Sequence, residues 1–191
     1  MALKTRSALG SILPWAATGT VLIVALLATS KGARERMAAF LWLHGGQQGC
    51  ERLLRPRKEA FIGSVELAGT VLDVGTGAGV RLKYLALRPG VTRILCVEPN
   101  VNFRAALKRE IDAVQKRRVE TFPEAPLLVI DVAWETIEEF LATAAAAADD
   151  ANAGDSGALE FDAATCFLVL CTIPDPGATV AAIHDRCLKP G

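Results

Sequence analysis

Asp73-Val74-Gly75-Thr76-Gly77-Ala78-Gly79 sets the reading of this 191-residue chain, because an apolar run leads into it and a helical pattern leads out. Thr70 to Val74 reads as a strand. Gly79 to Leu87 reads as a helix with Val80, Leu82 and Leu85 available for packing, stopped by Arg88-Pro89-Gly90. The alternation then repeats. Arg93 to Val97 is a second strand ending at Glu98-Pro99-Asn100, and Val101 to Arg118 a second helix, apolar at Phe103, Ala106, Leu107, Ile111 and Val114. Leu127 to Ile130 is a third strand ending at Asp131, and Thr136 to Ala147 a third helix whose alanines are strong helix formers. A small acidic loop, Asp149 to Gly157, leads to a fourth strand at Asp162 to Leu170, and Ala178 to Leu188 is the helix after Pro174-Asp175-Pro176. Strands alternating with helices predict an α/β fold, a parallel sheet with helices on both faces.

A glycine loop between a strand and a helix lets the backbone come close to a ligand, because side chains are missing there. Gly75, Gly77 and Gly79 form Gly-x-Gly-x-Gly, with the acidic Asp73 two residues ahead. Dinucleotide enzymes use Gly-x-Gly-x-x-Gly to seat a pyrophosphate on the helix N-terminus. The different spacing and the acid both argue against an oxidoreductase. S-adenosylmethionine (SAM) has no phosphate; it carries an amino-acid moiety and a sulfonium, which an acidic neighbour suits. Glu98 ends the second strand about 20 residues after the loop, where an acid can accept from both ribose hydroxyls, in SAM as in NAD. Asp131, at the end of the third strand, is placed to accept from the adenine amine, or else caps a helix or faces solvent.

Hydrophobic residues make up 51% of the chain and the formal net charge is zero, so most of it should fold. A balanced charge gives no support for a nucleic-acid partner, which requires a basic stripe. The short basic clusters, Arg34/Arg36, Arg55/Arg57/Lys58 and Lys116/Arg117/Arg118, read as solvated faces. Five cysteines and two histidines, with no Cys-x-x-Cys pair, argue against a metal site or a disulfide framework and fit a reducing compartment.

No charge appears between Arg6 and Lys31, and the stretch holds Val21-Leu22-Ile23-Val24-Ala25-Leu26-Leu27. A bilayer core takes about 20 apolar residues as a helix. A cleaved signal peptide and a buried core helix compete with an uncleaved anchor over residues 1–30, and the anchor fits best. A helix from Ala33 to Leu43 follows, in a juxtamembrane segment of residues 31–49. Gly45-Gly46 and Gly49 should break the chain there, so that a folded domain covers residues 50–191. SAM is a cytosolic metabolite, which favours a cytosol-facing domain on the endoplasmic reticulum or a lipid droplet.

The loop, together with Phe161-Asp162-Ala163-Ala164-Thr165 and Cys187-Leu188-Lys189-Pro190-Gly191, resembles the motifs of class I, Rossmann-like SAM-dependent methyltransferases over roughly Arg57 to Gly191. More narrowly, the chain resembles the membrane-anchored methyltransferase-like protein 7 group of thiol S-methyltransferases. The features are the anchor, Arg57-Lys58-Glu59-Ala60-Phe61, Glu98-Pro99-Asn100-Val101-Asn102-Phe103 and Leu168-Val169-Leu170-Cys171-Thr172. Thr76 stands where many members have Cys. The chain stops where the family continues into a fifth strand, which leaves the fourth at an edge and makes a fragment the expectation. Residues and resemblance together place the cofactor site at Asp73, Gly75, Thr76, Gly77, Gly79, Glu98, Pro99, Asn100, Asp131, Val132 and Phe167. The expected activity is methyl transfer from SAM to a small apolar thiol. A lipid or quinone-like acceptor, and an inactive SAM-binding remnant acting through its anchor, are the alternatives. No catalytic residue is assigned: a thiol ionises near pH 8.5 without a dedicated base, and His44, His184 and Cys171 read as surface or core residues.

Overall fold

Val71 and Leu72 are neighbours on one strand and both are fully buried. Successive strand residues point to opposite faces, so the sheet must be covered on both sides. The computed structural model describes residues 25–150, 160–167, 169 and 172–189. Its strands are β1 (Gly69–Val74), β2 (Val91–Val97), β3 (Val129–Ala133) and β4 (Ala163–Cys166). They pair in parallel in the order β3-β2-β1-β4. The helices are α1 (Lys31–Leu41), α2 (Gln47–Ser64), α3 (Leu82–Ala86), α4 (Arg104–Thr121), α5 (Ile137–Asp150) and α6 (Pro176–Cys187). On one face Ile62, Leu82, Leu85, Leu107 and Val114 of α2, α3 and α4 share a core with Val71 and Ile94. On the other, Ile137, Phe140, Leu141 and Ile183 of α5 and α6 pack with Leu72 and Val97. The α/β architecture expected from the alternation is the one found.

Several boundaries differ from the expectation. The glycines after α1 do not break the chain: a π-helical turn, Trp42–Gly46, carries α1 into α2. Each glycine costs a helix about 1 kcal/mol, but Trp42 packs against a small core of Ala39, Ala78 and Phe103. Gly46 also lies close to Trp42, where an added Cβ would stand 3.0 Å from the indole. Helix α3 is shorter than expected, since the residues before Leu82 stay in the turn of the glycine loop. Strand β3 runs two residues later, in register with β2 from Arg93↔Val129 to Val97↔Ala133. Strand β4 ends at Cys166, and Leu188 pairs in parallel with Phe161, ahead of β4.

Two of the basic clusters are not simply solvated faces. Arg118 is buried and donates to the carbonyls of Ala86, Arg88, Pro89 and Val91, which closes the turn between α3 and β2. Lys58 is buried too, with Nζ 3.0 Å from Glu51 Oε2, and Lys83 Nζ lies 2.6 Å from Glu51 Oε1. Burial pushes the Glu51 carboxyl up, but hydrogen bonds from Lys83, Tyr84 and Lys58 outweigh it and hold the group at about 2. This cluster locks α2 to α3.

Most of the expected anchor, residues 1–24, lies outside the described residues, as do residues 151–159 of the acidic loop and Leu168, Leu170, Cys171, Pro190 and Gly191. Among the described residues no helix is long and apolar enough to cross a membrane.

Candidate functional site

The carboxyl ends of β1 and β2 open into a cavity of about 790 Å³. Crevices of this kind, outside the strand ends of an open parallel sheet, are where such folds bind ligands. The cavity is walled by Gly75, Thr76 and Gly77 of the loop and by Glu98, Pro99 and Asn100 after β2. Phe167 and Val169 close it beyond β4, and Lys31, Ala38 and Trp42 of the N-terminal helices close it from above.

All three loop glycines take left-handed backbone, with φ of 66° at Gly75, 61° at Gly77 and 84° at Gly79. They differ in what surrounds them. A Cβ on Gly75 would stand 2.2 Å from Val169 Cγ2, and one on Gly79 would stand 2.8 Å from Leu107 Cδ1. A Cβ on Gly77 would meet only Trp42 Nε1, at 4.0 Å. The outer glycines are therefore bare because protein fills the space, and Gly77 is bare toward the cavity. Gly79 is a packing position on α4 and does not line the cavity.

Glu98 is 5% exposed. The Gly77 backbone N–H donates to its Oε2 at 2.7 Å and the Asn100 N–H to its Oε1 at 2.8 Å. Burial pushes its carboxyl above the ordinary 4.5, against the pull of those two hydrogen bonds. Each oxygen keeps acceptor capacity for a further donor. Asn100 also donates from Nδ2 to the Glu35 carbonyl at 3.0 Å, joining the end of β2 to α1.

Asp73 is 0% exposed and does not reach the cavity. Its Oδ1 accepts from Thr165 Oγ1 at 2.7 Å and lies 3.4 Å from Arg81 Nη2. The acid expected to face the ligand instead holds Arg81, which does line the cavity. Asp131 is a clearer departure. It sits inside β3 rather than at its end, and it pairs with Arg93, Nε at 2.9 Å and Nη2 at 2.7 Å. Val132 packs into the core beneath the sheet. Neither lines the cavity, because the two-residue shift of β3 moves its end to Ala133.

The sequence reading also missed residues that do line it: Arg81, Trp42, Lys58 and the α1 positions. A charged side chain placed directly before the fully buried Leu82 was the available signal for Arg81. Neither histidine lines the cavity. Burial raises the thiols of Cys96 and Cys166, which keeps both neutral and poor nucleophiles.

Residues 18–191 match the family model described as a methyltransferase domain. No curated protein matches the chain. Among solved structures it is similar to the Escherichia coli protein YjhP, with a TM-score of 0.43 and 20% identity over 71% of this chain and 45% of that one. The chain thus spans less than half the length of that protein.

The glycine geometry predicts an ordered set of stabilities. Gly77→Ala should cost about 1–2 kcal/mol, the left-handed penalty alone. Gly75→Ala and Gly79→Ala should each cost about 1–3 kcal/mol more, because a clash is added. Urea denaturation of the three variants measures this, and equal losses would contradict the loop described.

Proposed function

The chain belongs to the methyltransferase-domain family, and from that premise we propose that its cavity binds SAM and that the whole protein passes the methyl group to a small apolar thiol. The observation that carries the SAM reading is the Glu98 carboxylate, held by the backbone of Gly77 at the cavity wall with lone pairs to spare. A pair of neighbouring ribose hydroxyls fits those lone pairs, and the bare Gly77 leaves room for a ligand against the loop. When bound, SAM supplies a methyl group already activated on a sulfonium. What the protein then has to do is orient an acceptor and exclude water. Trp42, Phe103, Phe167 and Val169 make much of the cavity wall apolar, which suits an apolar acceptor. Neither histidine lines the cavity, so an acceptor that ionises unaided near pH 8.5 is favoured over an alcohol.

Residues 1–30 are proposed to anchor the protein in a membrane, with the domain on the cytosolic side of the endoplasmic reticulum or of a lipid droplet. The support is the uncharged run between Arg6 and Lys31. Such an anchor would hold the cavity where apolar thiols partition.

Three measurements test these statements. Charge-assisted hydrogen bonds contribute about 1.5–3 kcal/mol, so Glu98→Gln should weaken SAM by about one to two orders of magnitude in calorimetry. In the unmodified chain the affinity should fall as pH is lowered through the Glu98 pKa, which burial places above 4.5; in Glu98→Gln it should stay flat over that window. A pH-independent affinity in both proteins would remove Glu98 from the site. For the acceptor, labelled SAM is offered with alkyl thiols, phenols and quinols, and transfer to thiols is expected. Transfer only to oxygen would favour the quinone-like class, and no transfer despite tight SAM binding would favour a non-catalytic SAM-binding protein. For the anchor, the full chain should resist extraction from membranes by alkaline carbonate, whereas complete release would rule out a spanning segment.

A further inference from the structure

Arg81 follows the glycine loop by two residues and turns back into it. The residue is 6% exposed, and what shows lines the cavity. Its Nη2 donates to the Gly75 carbonyl at 2.6 Å and to the Val74 carbonyl at 3.4 Å, and lies 3.4 Å from Asp73 Oδ1. Its Nη1 donates to the Phe167 carbonyl, with the guanidinium carbon 5.8 Å from the centre of the Phe167 ring. Three carbonyls and one carboxylate therefore converge on a single positive charge at one end of the cavity. The fit is incomplete, since the buried Nε finds no acceptor among the described residues.

A set of acceptors like this selects for cations. The ligand proposed above brings two of its own, a sulfonium and an ammonium, the latter beside a carboxylate, and the ammonium needs up to three acceptors. Each carbonyl keeps a second lone pair, but an ammonium taking it would stand beside the guanidinium, and like charges a few ångströms apart in a buried pocket repel strongly. Arg118, the other buried arginine, also binds carbonyls but lines no such cavity, so its role is structural. Arg81 stands where a ligand would go.

We propose that Arg81 is a resident cation in the subsite for the ligand's amino-acid group. SAM and its demethylated product seat that group only when the guanidinium leaves the Gly75 and Phe167 carbonyls. Arg81 thereby sets how tightly the cavity holds ligands that carry the group. The inference rests on the SAM reading and goes beyond it, because it assigns this chain an internal competitor for its own cofactor.

The test is calorimetry on the full chain and on Arg81→Met with three ligands: SAM, S-adenosylhomocysteine and 5′-methylthioadenosine. The last keeps the nucleoside and lacks the amino-acid group. Arg81→Met should bind the first two about tenfold or more tightly than the unmodified chain and the third equally well. Methylguanidinium should compete with SAM in the variant and not in the unmodified chain. If the unmodified chain binds SAM and the variant binds it equally or more weakly, Arg81 supports the ligand and the proposal is overturned while the SAM reading stands. If neither protein binds any of the three ligands, the SAM reading falls and takes this one with it. Should Arg81→Met not unfold cooperatively, Arg81→Gln serves instead, since its neutral amide still donates to a carbonyl. The same tightening, smaller in size, is expected, and a weakening would again overturn the proposal.

Discussion

A carboxylate sealed from water governs this structure. Asp73 has no exposed surface, and a buried charge persists only when it is paired and hydrogen-bonded. Thr165 supplies a hydroxyl from β4, directly across the ladder from Asp73, and Arg81 supplies a positive charge from beyond the glycine loop. One side chain thus joins β1 to β4 and folds the segment after the loop back onto the strand. It also fixes the electrostatics of the cavity. With the carbonyls of Gly75 and Phe167 aimed at the same point, this end of the pocket is built to hold one positive charge, and Arg81 is the charge that holds it in this structure.

The glycine loop is held at two further places. Gly75 and Gly79 lie against Val169 and Leu107 so closely that no side chain fits, and the Gly77 N–H is anchored on Glu98. The motif therefore divides its work: the outer glycines seat the loop in the protein, and the middle one leaves space at the cavity. Glu98 serves both ends of this arrangement. Its two oxygens order the backbone on either side, at Gly77 and at Asn100, before any ligand takes their remaining lone pairs. A carboxylate whose geometry is fixed in advance loses little entropy when it binds.

What could be read in the sequence was whatever is local along the chain. Apolar runs located β1 and β2 to within two residues, and the loop and Glu98 follow them directly, so seven of the expected residues meet at one cavity: Gly75, Thr76, Gly77, Glu98, Pro99, Asn100 and Phe167. What could not be read depends on partners far along the chain. The register of β3 is set against β2, where Arg93 faces Asp131, so the acid falls inside the strand rather than at its end. Arg81 finds its acceptor 86 residues away, and no periodicity reports that. The glycines after α1 read as breakers because their cost is intrinsic, whereas the packing that offsets it comes from Ala78 and Phe103, later in the chain.

The wall above the cavity links the two halves of the functional argument. Lys31, Ala38 and Trp42 line the cavity, and Asn100 holds the Glu35 carbonyl, so the segment first taken as a juxtamembrane linker is part of the site. Its start is also tied down. Ser30 caps α1, and Arg34 Nη1 donates to the carbonyls of Leu27 and Ala28 at 2.9 and 3.1 Å, in the last turn of the helical residues 25–29. Such caps give partners to the final carbonyls that a helix end leaves without them. A tether within residues 1–30 would therefore connect to the cavity wall through α1. On the proposal that residues 1–30 anchor the protein, the helix that walls the cavity is also the one that follows the anchor.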